Sequence, residues 1–445
     1  MKLKLNKQEK SWVLYDVGNS AFVMMICSLL PIYYNTLAKA QGMSDTQITS
    51  IFGTLLSLSA LAIALVNPIL GAIADNKGMK KKMFLIFMCI GVACCFLLGI
   101  DDSIPYLAAV VILSRLAMTS SVVFYDSMLV DVTSEDRMDA VSSRGFAYGY
   151  IGSCIPFTVC LGLYALATMP KENPILPIGE GTSIVIGMAI TGVWWFAMSM
   201  PLVKNYKQVY GVEPQKNQVL DAFRKLGSTF KNLRHYKSAF LFVFAFFFYI
   251  NGVSTIIGMS VVYAQQVLGD INAIYLVIAL LMTQVVAWPF AILNGKLADK
   301  YSPRILILVS IVGYIAITVY GAFMSQIYQF FILAFFVGLF QGGIQALSRS
   351  YFAKLVPKEK NNEFFGVYDI CGKGAAVLGP ALMAAATEIF GSPRWGVSSL
   401  ILFFIIGGII LFFLPKNKAD IPNNKLKELE PAEEVAEAQA AEAAE

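Results

Sequence analysis

Five ionisable residues stand inside long apolar runs of this chain: Asp16, Arg115, Asp126, Asp369 and Lys373. Charge is costly in hydrocarbon, so a group kept there faces a cavity or a partner. Arg115 and Lys373 each lie about 11 residues into their run, roughly 16 Å at 1.5 Å per residue, near the middle of a bilayer. Cations at that depth suit the carboxylate or other anionic group of a small solute. The structural alternatives are a local pair for Arg115 and an i,i+4 ion pair with Asp369 for Lys373. A carboxylate that is dry in one conformer and wet in another can bind and release a proton. Asp16, Asp126 and Asp369 are therefore candidates for proton or ion coupling, although Asp16 can cap or pair at an inner gate and Asp126 can pair with Arg144. Uncharged polar groups accompany them: Asn19, Tyr249, Asn251, Gln341 and Gln345. These suit a solute path or hydrogen bonds between helices. The single histidine, His235, lies in a polar stretch and reads as solvated. The seven cysteines sit in apolar runs and read as small buried hydrophobes.

The elements that carry these groups follow from composition. Of 445 residues, 57% are hydrophobic and 14% charged, against about 25% charged in soluble domains. That excludes a soluble enzyme, a disordered scaffold and a secreted disulfide module. A bilayer core of about 30 Å needs roughly 20 apolar residues per helix. Twelve runs qualify: 12–38, 45–74, 81–100, 104–131, 140–168, 182–203, 237–266, 272–298, 304–324, 327–355, 362–389 and 395–414. With the N-terminus placed inside, 29 of the 34 Lys and Arg fall on the inner side, and only Lys39, Lys171 and Arg394 outside. The net charge of +5 thus belongs to the inner leaflet, not to a nucleic-acid surface. The first run is too long for a secretory signal and contains Asp16 and Asn19, so it reads as a retained helix. The expected fold is an all-α membrane protein of twelve transmembrane helices in two six-helix bundles, both termini cytoplasmic. The bundles are 1–203 and 237–415. A linker over 204–236 carries an amphipathic helix, and the polar, acidic tail over 416–445 reads as solvated or weakly helical, without a site.

The two halves echo each other. Gly71-x-x-x-Asp75, with Gly78 and Lys80 following, recurs 224 residues later as Gly295-x-x-x-Asp299 with Arg304. Glycine allows close helix approach, and each Asp can accept hydrogen bonds at a neighbouring helix N-terminus. The pair reads as a cytoplasmic latch that forms in one conformer and breaks in the other, with Arg144 at the same gate.

This pattern resembles the signature of the major facilitator superfamily. Four longer stretches are similar to one branch, the vacuolar-effluxer-like transporters related to the autophagy-linked amino-acid exporter of fungal vacuoles. They are Trp12-Val13-Leu14-Tyr15-Asp16-Val17-Gly18-Asn19-Ser20-Ala21-Phe22; Phe124-Tyr125-Asp126 with Val141 to Tyr150; Gln341 to Ser350; and Glu363-Phe364-Phe365-Gly366 leading to Lys373 and Gly379-Pro380. The family has Asn where Asp126 stands and an acidic residue near Asn251, which leaves substrate and ion coupling open. The resemblance implies a secondary transporter working by alternating access, with a midplane site lined by spans 1, 4, 7 and 10 and amino acids as the favoured solute. Export of drugs or lipids is the alternative within transport, and a non-transporting receptor or scaffold the alternative outside it. The expected partners are a small-molecule solute, a proton or other coupling ion and membrane lipid, with no nucleic acid. A monomer in a bacterial inner membrane is expected. No nucleotide-binding loop or metal-ligand spacing occurs in the sequence, so neither an enzyme nor a cofactor is expected.

Overall fold

The computed structural model describes residues 4–169, 175–213, 236–269 and 273–428. The amphipathic helix expected in the linker, and His235, lie outside the described residues. In lipid each backbone N–H and C=O needs a partner within its own segment, which favours helices. The long helices are α1 (Lys7–Ala40), α2 (Asp45–Ala74), α3 (Lys80–Leu97), α4 (Ile104–Ser127), α5 (Met138–Thr168) and α6 (Glu180–Asn205). They continue with α7 (Lys237–Leu268), α8 (Ala273–Leu297), α9 (Pro303–Ala322), α10 (Ile327–Leu355) and α11 (Asn361–Phe390). The last, α12 (Pro393–Phe412), is interrupted at Leu400. Among the described residues nine helices are long and apolar enough to cross a membrane: α1, α4 to α10 and α12. Helix starts are fixed locally. Asn6 accepts from the Glu9 N–H at 2.8 Å while the Glu9 carboxylate takes the Asn6 N–H at 2.7 Å, a reciprocal cap worth about 1 kcal/mol.

The chain forms two compact units that do not coincide with its two sequence halves. Unit 1 holds residues 1–128, 148–231 and 359–377; unit 2 holds 129–147, 232–358 and 378–445. Helices α5 and α11 are therefore shared, each giving one end to either unit.

In unit 1, α1 packs along α6, α3 against α4 and α6, and α2 against α4. Unit 2 repeats the scheme six helices later: α7 along α12, α9 against α10, and α8 against α10. Helices in lipid associate through close packing and polar contacts rather than a hydrophobic drive. The start of α1 illustrates both. Trp12 stacks on Tyr125 with centroids 4.4 Å apart and donates its indole N–H to the Tyr125 carbonyl at 2.9 Å. Tyr15 shares a 2.6 Å hydrogen bond with Ser121. The aromatic residues of the first family-like stretch thus bolt α1 to α4 and fix the register that places Asp16 and Asn19. All seven cysteines are free thiols; Cys94, Cys95 and Cys160 are buried, but Cys27 and Cys89 are exposed on helix surfaces instead of buried.

Candidate functional site

Unit 1 gathers most of the ionisable candidates. On α4, Arg115 is half-buried and donates through Nε to Ser59 of α2 at 3.0 Å. A guanidinium carries five N–H donors; among the described residues Ser59 is the one hydrogen-bond partner of Arg115. Its remaining donors are available to an anion. About one and a half turns further along α4, Ser120 donates to the Asn67 side-chain oxygen at 2.7 Å. Asn67 in turn donates to the Asp369 carboxylate at 2.9 Å. Asn67 and Ser120 are fully buried, so a directed chain from α4 through α2 holds the α11 carboxylate in one orientation. Asp16 is buried, and the Asn19 amide reaches its carboxylate at 3.5 Å. Asp126 is half-buried in the same unit, whereas Arg144 is half-buried in unit 2. The Lys373 side chain lies outside the described residues.

The α2–α3 turn of the same unit meets the start of α11. Asp75 accepts from the Asn362 N–H at 2.9 Å, the Asn362 side-chain amide at 2.7 Å and the Glu363 N–H at 2.9 Å. The first amides of a helix have no intrahelical acceptor, and the dipole there favours an anion. Gly71 is required by this approach: a Cβ on it would stand 2.5 Å from the Asn362 carbonyl oxygen. Burial pushes the Asp75 carboxyl up to about 7, against the opposing pull of Lys80 and of the Asn362 and Glu363 donors. Lys80 is itself buried and reaches the Ser127 carbonyl at 3.4 Å. The chain leaving α6 returns to this turn. Val212 pairs with Asp75 and Lys77 through backbone bonds of 2.9 and 3.0 Å, and Gln208 accepts the Gly78 N–H at 3.0 Å.

In unit 2 the second copy of the turn meets the start of α5. A Cβ on Gly295 would stand 2.7 Å from the Ser143 Cβ. Here the ionic contact lies beside the turn. Lys354 of α10 pairs with Asp139 at 2.7 Å, with side chains 1% and 0% exposed. Ser350 donates to the other Asp139 oxygen at 2.5 Å. Arg349 donates to the Ser142 hydroxyl and carbonyl at 2.9 and 3.0 Å and sits 4.2 Å over the Phe146 ring. The chain leaving α12 straps this turn as the chain leaving α6 straps the first. Asn423 and Asn424 donate backbone N–H groups to Ala298 and Asp299 at 3.1 and 3.3 Å, and Asn423 also accepts from Lys354 at 3.1 Å. Asp420 takes Tyr351 at 2.8 Å and Arg304 at 3.4 Å. The first part of the tail is therefore packed structure, with Ala419 and Leu426 buried, and not solvated as its composition suggests. Near it, Glu135 binds Lys358 at 2.9 Å and Lys418 at 3.4 Å. Burial alone would raise that carboxyl, but the two lysines outweigh it and hold it below the usual range.

The neutral candidates of unit 2 divide. Tyr249 is fully buried and bonded to Ser348 at 2.6 Å, a packing contact between α7 and α10. Asn251 gives its amide N–H to Phe247, and its buried oxygen has no partner among the described residues. Gln341 lines a cavity, and its amide oxygen is likewise buried without a partner. Gln345 is half-buried. Sequence reasoning misses Asn67, Ser120, Asp139, Lys354 and the 417–424 strap. One signal for Asp139 is present: Glu363 lies 224 residues on, the offset of the glycine–aspartate repeat.

The chain matches the family profile described as "Vacuole effluxer Atg22 like" over residues 5–138 and 130–422. It is 42% identical over 419 residues to a Bacillus subtilis (strain 168) protein described as an uncharacterized MFS-type transporter, YxiO, covering 94% of this chain and 96% of that one. It is 25% identical over 323 residues to autophagy-related protein 22 of Coccidioides immitis (strain RS), covering 66% of this chain and 52% of that one. Among solved structures, a point variant of the E. coli fucose:proton symporter FucP superposes with a TM-score of 0.68 at 14% identity, over 92% of this chain and 98% of that one. The human organic anion transporter MFSD10 gives 0.66 at 13% identity, over 92% and 100%.

Proposed function

Because the chain belongs to the Vacuole effluxer Atg22 like family of major facilitator transporters, we propose that it carries a small polar or zwitterionic solute, amino acids foremost, by alternating access. The reading includes twelve spans with both termini cytoplasmic, a bacterial inner membrane, a monomer, and a proton or other ion gradient as the drive.

The observation that carries it is Arg115: a half-buried cation far from either helix end, with one N–H on Ser59 and the others open. Its role is to take the solute's carboxylate, with Lys373 and Asn19 as companions in unit 1; Asn251, Gln341 and Gln345 are candidate solute contacts of unit 2 in their own right. Tyr249 serves as packing between α7 and α10. Asp369 is the leading coupling carboxylate, because the Ser120–Asn67 chain directs one amide N–H at it; Asp16 and Asp126 are secondary. The gate is the set of contacts that join the two sequence halves within each unit. Asp75 on the α11 start, in unit 1, and Asp139 on Lys354, in unit 2, each have to part for the sequence halves to separate within that unit. Gly71, Gly78, Lys80, Gly295, Asp299, Arg304 and Arg144 support it.

Counterflow of labelled amino acids in proteoliposomes tests the reading. Arg115→Ala and Lys373→Ala variants that still insert are expected to lose exchange. Wild-type exchange in both overturns the assigned site.

A further inference from the structure

Within unit 2 a cavity of about 110 Å³ lies among α7, α8, α9, α10, α11 and α12. Two features of its wall define what it can hold. First, no Asp, Glu, Lys, Arg or His among the described residues lines it. An ion or zwitterion entering would lose its water and find no counter-charge, so charged solutes are disfavoured. Second, the hydroxyl protons of the wall are already committed to backbone carbonyls. Thr255 donates to Asn251, Ser260 to Ile257, Tyr263 to Gly321, Thr283 to Ala279 and Thr318 to Tyr314. Of the two wall glutamines, Gln284 is only half-buried. Gln341 is 5% exposed, and its amide oxygen is buried without a partner. A buried acceptor left unmade is costly. Met259, Met324 and Met383 complete the wall with side chains that adapt to shape.

We infer that this cavity is a binding site for a neutral, largely apolar molecule of about benzene size that brings one hydrogen-bond donor to the Gln341 oxygen. The size follows from comparison with an engineered cavity of about 150 Å³ that admits benzene. The wall reaches α9 and α12 residues such as Thr318 and Leu400 and includes neither Arg115 nor Asp369. Gln341 is the one group it shares with the proposed solute path, and its ligand class differs from the proposed solute. The cavity therefore stands or falls separately from the carboxylate site at Arg115.

The test uses the full chain in lipid nanodiscs, with fluorinated benzyl alcohol and fluorotoluene as probes followed by ¹⁹F NMR. Benzyl alcohol is expected to bind more tightly than toluene. Gln341→Leu should weaken the alcohol about 5- to 10-fold, the worth of one hydrogen bond, and leave toluene unchanged or tighter. Ala334→Phe should abolish both by filling the space, and Gln341→Leu keeps the test decisive if that variant does not fold. Arg115→Ala should bind both probes as wild type does, which separates this site from the transport reading. Equal binding of the two probes with no effect of Gln341→Leu, or binding of neither, overturns the inference.

Discussion

Replacing Lys354 by methionine removes one charge from a pair with almost no solvent contact. The Lys354 and Asp139 side chains are 1% and 0% exposed and 2.7 Å apart. Methionine keeps most of the volume, so packing changes little, while the Asp139 carboxylate keeps the Ser350 hydroxyl as donor. Breaking a buried pair from one side costs about 3–5 kcal/mol, because the surviving charge is uncompensated. Replacing both partners by apolar residues is often neutral. Lys354→Met should therefore lower the unfolding midpoint in nanodiscs by roughly 5–10 °C, at about 2 °C per kcal/mol. Asp139→Leu combined with Lys354→Met should recover most of that loss. The double-mutant cycle isolates the coupling. A single-variant loss under about 1 kcal/mol, or a double variant no better than the sum of the singles, would refute the view that this contact joins the sequence halves as a desolvated ion pair.

Three further outcomes follow. The Asp75 carboxyl is raised to about 7 in its docked state from an ordinary 3.8, so docking binds a proton; the contact is strongest below about pH 4 and weakens as pH rises through 7. Protection of 359–366, the exchange rate divided into the intrinsic base-catalysed rate, should fall between about pH 5.5 and 8.5, and protection that does not change with pH would contradict the burial argument. Gly71→Val, whose side chain would meet the Asn362 backbone, should give fast exchange over 359–366 at all pH values; protection equal to wild type would show the close approach to be dispensable. Asn423→Ala removes the acceptor on Lys354 and should expose the 298–300 turn to exchange by roughly 5- to 10-fold, one hydrogen bond's worth, while leaving the 75–78 turn unchanged.

Helix positions can be read from the sequence because bilayer thickness and apolar runs constrain each other: 45–74, 237–266 and 327–355 differ from α2, α7 and α10 by two residues at most. The glycine–aspartate repeat is readable because its spacing is local. Pairings made across the sequence are not. Arg349 and Lys354 count as inner-side cations by position, and charge counting cannot tell a wet lysine from one bonded to a carboxylate 215 residues away. The tail misleads for a related reason. Its composition is that of a solvated segment, yet Asp420 and Asn423 fold down because Arg304, Tyr351 and Lys354 supply the partners. Asn67 carries no charge to draw attention, although it is the link between Ser120 and Asp369.

The most direct measurement is uptake of labelled amino acids by the purified chain in proteoliposomes, with and without an imposed proton gradient, in wild type and Asp369→Asn. Gradient-driven accumulation is expected in the wild type, and counterflow without accumulation in the variant. No amino-acid movement in the wild type under either gradient sign, or full accumulation by Asp369→Asn, would contradict this expectation.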